Sequence, residues 1–191
     1  MNADPRCRCC GTAVQPTFVA PAWRLDTWVD VDVGECRNCG SLTVLRDDGA
    51  VDEPVGWSLV QGLDATSDLA ALAQQGEMFV RVPLAQGPVW HEYRDNWMAI
   101  NPLRHRWVPT LDGLTAAATR AGLRIAEVVG ECPIEHFVAS EMIANRVPEH
   151  RRSSVQVDRR LLAEFERKAS RNTAMYDCPE ATLFLRKKGG R

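Results

Sequence analysis

Alternating apolar and polar positions mark several short strands along the chain. Residues 27–33 (Thr-Trp-Val-Asp-Val-Asp-Val) hold alternating apolar positions, and this pattern is typical of a strand with one buried face. Short apolar runs of strand length recur at residues 57–60, 78–82, 123–129 and 182–185. We expect a strand in each of these segments.

Helical spacing of apolar residues separates these strands. It occurs at residues 68–75, 110–121 and 157–168. Thr110 can cap the second helix at its N-terminus, and Gly122 fits the stop at its C-terminal end. Because helices alternate with strands, the pattern predicts an α/β fold.

Composition and charge narrow the class of protein. The chain has 191 residues, of which 45% are hydrophobic and 25% are charged, which is typical of a globular protein with a real core. Lys and Arg number 23 against 25 Asp and Glu, and this balance argues against a nucleic-acid-binding protein. We see neither an apolar run that could span a bilayer nor the apolar core of a signal peptide at the start, and we therefore predict a cytoplasmic protein.

The spacing of the cysteines predicts a metal site. Most of the seven cysteines lie near the N-terminus, and two pairs share the spacing Cys-x-x-Cys-Gly. A two-residue gap lets a tight turn direct both thiolates at one ion, and the glycine permits a positive φ. An odd number of cysteines without an export signal is not typical of a disulfide framework. We predict a zinc ion bound by Cys7, Cys10, Cys36 and Cys39.

Four thiolates fill a tetrahedral zinc shell, so the predicted role of the metal is structural. Three alternatives remain: Cys9 replaces Cys7 or Cys10 as a ligand, the thiols hold iron, or the cysteines are simply reduced and buried. Zinc is favoured because a module of about 45 residues has too little core to fold by itself. The strand at 27–33, between the two pairs, fits the hairpin of a zinc ribbon.

The chain divides into three parts on this interpretation. A zinc ribbon occupies residues 1–46, and an α/β domain occupies residues 55–188. The intervening residues 47–54 are mostly polar and include the turn sequence Asp47-Asp48-Gly49, which predicts a linker.

The α/β part resembles a known family. The succession of 78–83 (MFVRVP), 97–105 (WMAINPLRH) and 108–123 (VPTLDGLTAAATRAGL) resembles the C-terminal half of class I S-adenosylmethionine-dependent methyltransferases, and 172–187 is similar to the last strand of that fold. An N-terminal cysteine-rich module is also similar to that of sugar C-methyltransferase relatives. The resemblance implies a zinc ribbon followed by a truncated Rossmann-like methyltransferase half-domain.

The chain departs from this family at the cofactor site. Such methyltransferases carry a Gly-rich loop, acidic-x-Gly-x-Gly, where missing side chains let the backbone approach the cofactor. This chain contains no Gly-x-Gly, and Leu63-Asp64-Ala65 stands where complete relatives have Leu-Glu-His. We therefore doubt that it binds S-adenosylmethionine, and we expect a non-catalytic accessory or interaction subunit in a biosynthetic pathway that tailors a small molecule or a sugar. The alternative is a methyltransferase whose cofactor site is completed by an oligomer partner.

Weak candidates for catalysis are His91, Tyr93 and His105, which lie near tryptophans in the sequence. In a working methyltransferase these groups could deprotonate a nucleophile. The competing interpretation is that the tryptophans cover a sheet edge and the histidines cap loops, and we favour it because without a bound methyl donor a base has nothing to activate.

Loss of half of a sheet would leave the strand at 57–60 as an edge. A bare apolar edge promotes aggregation. We therefore expect a protein partner or a second copy of the chain to cover it, with neither a membrane nor a nucleic acid as a partner.

Overall fold

The computed structural model describes residues 5–24, 26–45, 69, 78–102, 107–174 and 177–189. Within these ranges the chain forms two antiparallel sheets together with α-helices. The mixed α/β class predicted from the sequence is confirmed at this level. The strands are β1 (Phe18–Arg24), β2 (Thr27–Glu35), β3 (Leu42–Val44), β4 (Met78–Pro83), β5 (Trp107–Val108), β6 (Leu123–Glu131) and β7 (Glu180–Lys187). The α-helices are α1 (Gly87–Tyr93), α2 (Leu111–Arg120), α3 (Glu135–Ala144) and α4 (Arg159–Ala174), and 3₁₀ turns lie at Arg94–Asn96 and Glu149–Ser154.

The first sheet has the strand order β1-β2-β3-β5. Strands β1 and β2 form a hairpin whose register runs from Phe18 opposite Val33 to Arg24 opposite Thr27. Asp26 adopts a φ of 61° at the turn, a left-handed conformation that Asp tolerates better than most residues. Strand β2 confirms the strand predicted at residues 27–33.

Strand β5 joins this sheet from a distant part of the chain. Thr43 of β3 lies opposite Trp107, and Leu42 lies opposite Val108. Both residues of β5 are buried. The N-terminal segment therefore shares a hydrogen-bonded sheet with residues that follow the predicted linker.

The second sheet has the strand order β4-β7-β6. Strand β7 is antiparallel to both of its neighbours, so β4 and β6 run in the same direction. Helix α2 lies in the connection between these two parallel strands, which makes a split β-α-β unit. The strands predicted at 78–82, 123–129 and 182–185 are confirmed.

Helix α2 begins and ends as its sequence predicts. The Thr110 hydroxyl oxygen accepts a hydrogen bond from the N–H of Gly113 at 3.0 Å, which is N-capping. Gly122 follows the helix with a φ of 77°, which is the left-handed stop. The helix predicted at 157–168 is confirmed as α4, which extends further towards the C-terminus.

Other predictions lie outside the described residues. These are the linker at 47–54, the strand at 57–60 and most of the helix at 68–75. Leu69 is the described residue of that helix, and it is buried in a hydrophobic cluster with Leu114 and Leu183.

Two hydrophobic clusters hold the described residues together. The first joins Val14 to Leu114 of α2 and Leu183 of β7, and the second joins Val33 of β2 to Phe137 of α3. Each cluster thus combines the N-terminal segment with later elements. No helix in the described ranges is long and apolar enough to cross a membrane.

Candidate metal centre

Four cysteine sulfur atoms converge beside the first sheet. Their Sγ atoms all lie within 4.8 Å of one another, with 3.6 Å between Cys7 and Cys39 and 3.4 Å between Cys10 and Cys36. Tetrahedral zinc with bonds of about 2.3 Å separates its sulfur ligands by about 3.8 Å. The group can therefore hold a metal ion, and its dimensions are compatible with zinc.

Each cysteine pair is held by a turn of the same geometry. The N–H of Gly11 donates to the carbonyl of Cys7 at 2.8 Å, and the N–H of Gly40 donates to the carbonyl of Cys36 at 2.7 Å. These glycines have φ values of 79° and 69°, in the region that favours glycine. The glycine after each Cys-x-x-Cys motif therefore has the role predicted from the sequence.

A hydroxyl group accompanies the second cysteine of each pair. Thr12 Oγ1 lies 3.3 Å from the sulfur of Cys10, and Ser41 Oγ lies 3.4 Å from the sulfur of Cys39. When the sulfur is a thiolate the hydroxyl donates to it, because a thiolate can only accept. Hydroxyl groups that donate to a metal-binding thiolate orient it and stabilise its charge.

The surroundings give the thiols different proton affinities. Burial raises the pKa of Cys39 to about 12 and also raises the pKa of Cys36. The pKa of Cys7 is raised mainly by a hydrogen bond with Cys9, and burial raises it further. Burial also acts to raise the pKa of Cys10, but hydrogen bonds from Thr12 and its other neighbours outweigh burial and lower the pKa to about 6. Since metals bind thiolates, a divalent cation must displace protons from this group.

Cys9 lies outside the group of mutually close sulfur atoms. Its side chain is 0% exposed, and a Cβ built on Gly113 of helix α2 would lie 3.2 Å from the Cβ of Cys9. The side chain of Cys9 therefore packs against the first turn of α2. In this arrangement Cys7 and Cys10 are the sulfur ligands that the first turn offers.

The metal group rests on the N-terminus of helix α2. Ser41 Oγ accepts a hydrogen bond from the Thr110 N–H at 3.1 Å, and Thr110 Oγ1 donates to the carbonyl of Cys39. The position of Gly113 leaves no room for a larger side chain, because an added Cβ would overlap the Ser41 hydroxyl. The residue that caps α2 is thus also bonded to a predicted metal ligand.

Comparison of the chain with models of protein families, with curated proteins and with solved structures finds no match in any of the three.

The two predicted catalytic candidates that the structure describes, His91 and Tyr93, lie in different surroundings. His91 is exposed on α1, whereas Tyr93 is buried and its hydroxyl donates to Glu141 at 3.1 Å. Burial raises the pKa of Tyr93, and the negative charge of Glu141 adds to this effect. A phenol that holds its proton this firmly is a poor base at neutral pH. His105 lies outside the described residues.

A buried polar network was missed from the sequence. Glu180 is 3% exposed and accepts a hydrogen bond from Nε of Arg81 at 2.8 Å. His136 Nε2 lies 3.4 Å from Glu180 Oε2, and the indole N–H of Trp97 donates to His136 Nδ1 at 3.2 Å. Burial acts to raise the pKa of Glu180, but the hydrogen bond from His136 and the charge of Arg81 lower it overall.

This network leaves little room for a reactant. Both nitrogens of His136 have partners, and its ring is buried. The role of this histidine is therefore structural. Glu180 occupies an alternating position of β7, where the sequence pattern alone predicts an exposed side chain. The burial of Glu180 depends on helix α3, which was not predicted from the sequence and which brings His136 next to this carboxylate.

Proposed function

We propose that this chain is a zinc-binding, methyltransferase-like protein that serves as a non-catalytic accessory or interaction subunit in a biosynthetic pathway. The observation that carries the proposal is the group of four cysteine sulfur atoms within 4.8 Å of one another. Four soft thiolate donors suit zinc, and they leave no open position for a catalytic water. In this proposal the ion is structural and completes a zinc ribbon.

The second sheet supports the methyltransferase-like part of the proposal. The parallel strands β4 and β6 are connected through helix α2, the kind of crossover that Rossmann-like sheets use, with the antiparallel strand β7 between them. This similarity concerns the fold alone, because the function of a protein depends on a specific binding or catalytic site.

The non-catalytic part rests on chemistry that a methyl transfer needs. The chain has no Gly-x-Gly with which a backbone could approach a cofactor such as S-adenosylmethionine. In addition, Tyr93 is held protonated by its surroundings, and His91 is exposed on a separate face of α1. A protein that only binds a partner requires a folded surface, which the zinc would stabilise. It does not require Tyr93 or His91 to take part in a reaction.

One preparation of the protein tests both parts. Metal analysis should find about one zinc per chain. Calorimetric titration of the zinc-loaded protein with S-adenosylmethionine and with S-adenosylhomocysteine should give no heat of binding at millimolar concentration. Binding near micromolar would overturn the non-catalytic role. The mass from light scattering in the same buffer would then show whether one chain or an oligomer forms the cofactor site.

A further inference from the structure

A cavity of about 170 Å³ lies against the second sheet, on the face that carries Leu183 and packs on helix α2. Gly130 of β6 and Ala181 of β7, which are opposite each other in the strand register, line the cavity from the sheet. Leu111, the first residue of α2, lines it from the helix. Protein interiors contain few voids larger than a water molecule, so this space exceeds an ordinary packing defect.

Small residues on the two strands create the space. Gly130 has no side chain, and a Cβ added there would lie 2.9 Å from the sulfur of Cys178 and 3.2 Å from its Cβ. The Cys178 side chain therefore forms the wall beside this glycine, and Ala181 adds only a methyl group. A larger residue at position 130 would displace the thiol.

The cavity opens to solvent at β6, which is an edge strand of its sheet. Val128 of β6 lies opposite Leu183, so the two side chains belong to the same face of the sheet. Leu183 is 0% exposed, but Val128, which lines the cavity, is 37% exposed. A small molecule can therefore enter beside Val128.

Gln86 supplies a hydrogen-bond donor at the wall. Its Oε1 accepts a hydrogen bond from the N–H of Leu111 at 3.1 Å, and both residues line the cavity. Its amide nitrogen has no hydrogen-bond partner in the described part of the chain. The buried side-chain atoms without a partner in these ranges belong to Thr43 and Asn96. The Gln86 nitrogen is therefore accessible and can donate to a ligand.

The rest of the lining favours an uncharged, apolar ligand. It includes the apolar side chains of Leu84, Leu111, Val128 and Ala181. Burial raises the pKa of the Cys178 thiol, which therefore carries no charge at neutral pH. A charged ligand would lose its hydration here without meeting an opposite charge. A water molecule would need two to four polar partners, and one amide donor does not supply them.

We infer that this cavity binds a small neutral molecule that has a single ring and one hydrogen-bond acceptor, such as a carbonyl oxygen. An apolar cavity of about 150 Å³ holds benzene, so the volume fits one ring with a small substituent. The acceptor would take a hydrogen bond from the Gln86 amide nitrogen. Few polar groups in a mostly apolar wall are typical of ligand sites. The inference goes beyond the accessory role proposed above and does not depend on it.

An NMR titration of the zinc-loaded protein with acetophenone tests the inference. This probe has one ring and one carbonyl oxygen, and methyl signals report where it binds. We expect the signals of Leu84, Leu111 and Ala181 to shift with a Kd of about 1 mM or below. The signals of Val155, an exposed residue between a 3₁₀ turn and α4, should stay in place. No shift of the three cavity residues at about 10 mM, or equal shifts at Val155, would overturn the inference.

Two neighbouring valines provide a matched pair of variants. Val128→Trp puts an indole at the mouth of the cavity. Val129→Trp puts the same ring on the opposite face of β6, where the valine is 42% exposed. We expect Val128→Trp to weaken acetophenone binding about tenfold or more and Val129→Trp to leave it unchanged. Val128→Phe is the second variant if circular dichroism shows that Val128→Trp does not fold. Equal binding to the two folded variants would place the ligand elsewhere and reject the cavity.

Gln86→Glu tests the hydrogen-bond donor. The carboxylate can still accept the Leu111 N–H, but it cannot donate. Acetophenone should bind this variant about fivefold or more weakly than the wild type. The loss should be smaller for isopropylbenzene, which has the same shape and no oxygen.

Benzoate tests the preference for a neutral ligand. It is similar in size to acetophenone but anionic, and the wild-type chain should bind it about tenfold or more weakly than acetophenone. Benzoate that binds as tightly as acetophenone would overturn the inferred ligand class. An equal loss of both neutral probes with Gln86→Glu would do the same.

Discussion

Ser41 accepts a hydrogen bond from the backbone N–H of Thr110 at 3.1 Å. The same hydroxyl lies 3.4 Å from the sulfur of Cys39. One side chain therefore connects a proposed metal ligand to the residue that caps helix α2. Because α2 joins β4 to β6, this contact couples the metal group to the second sheet.

Replacing Ser41 with alanine should weaken both ends of this connection. The Thr110 N–H and the Cys39 thiolate each lose a partner, so we expect the free energy of unfolding to fall by about 1–2 kcal/mol. Zinc should bind about tenfold more weakly. Urea unfolding and a competitive zinc titration measure the two effects. Ser153→Ala, at an exposed position of a 3₁₀ turn, is the control, and equal behaviour of the two variants would contradict the prediction.

Replacing Gly113 with alanine should destabilise the protein. In an ordinary helix this change stabilises by about 1 kcal/mol. Here the added Cβ would overlap the Ser41 hydroxyl, which cannot move without losing its bonds to Thr110 and Cys39. We expect a lower thermal midpoint in calorimetry for Gly113→Ala. Thr115→Ala, an exposed change in the same helix, should have little effect, and a Gly113→Ala chain that melts at or above the wild-type temperature would refute the crowding.

Removal of the metal should loosen both sheets. Strand β3 pairs with β5, and the first hydrophobic cluster includes Cys36 together with Leu183 of β7. A ligand at about a thousand times its Kd adds about 4 kcal/mol of stability, and a chelator takes this away. Hydrogen exchange of the β4 and β7 amides should accelerate after chelation and recover when zinc is restored. Acceleration confined to residues 5–45 would instead show an independent module.

The buried carboxylate of Glu180 should make stability depend on pH. Its folded pKa lies below the ordinary value of 4.5, so its contribution is present above pH 4.5 and is lost as pH falls through the folded value. Glu180→Gln should cost about 2–4 kcal/mol at pH 7, because Arg81 and His136 lose their ionised partner. Urea unfolding at pH 7 and pH 3 should show this difference shrinking at pH 3. Glu127→Gln is the exposed control, and a constant difference would rule the mechanism out.

Local sequence patterns predicted the elements that carry a regular signal. Strand β2 alternates apolar and polar residues from Val29 to Val33, and α2 has both its cap and its stop in the sequence. Other elements lack such signals. Strand β1 contains Pro21, a residue that breaks strand patterns except at an edge. Helix α3 has no clear apolar face, because its apolar residues are not gathered on one side of it. Strand β5 has two residues, too few for any periodicity.

The metal group was predictable because its spacing is local. Each Cys-x-x-Cys-Gly motif specifies its own turn, and the two turns then need only meet. The support beneath the group was not predictable, since Ser41 and Thr110 are far apart in the sequence and neither residue type indicates the other. The same reason applies to Glu180 and His136, which meet only through the packing of α3 on β7.

Because Thr43 pairs with Trp107, the first sheet can be completed only after residue 107 has been synthesised. During translation the four cysteines leave the ribosome well before residue 107. An emerging chain can therefore collect its metal while the last strand of the first sheet has not yet been made. The metal-bound turns would then wait, with the edge of β3 open, for Trp107 and Val108 to close the sheet. An early supply of zinc to the nascent chain would favour the yield of folded protein.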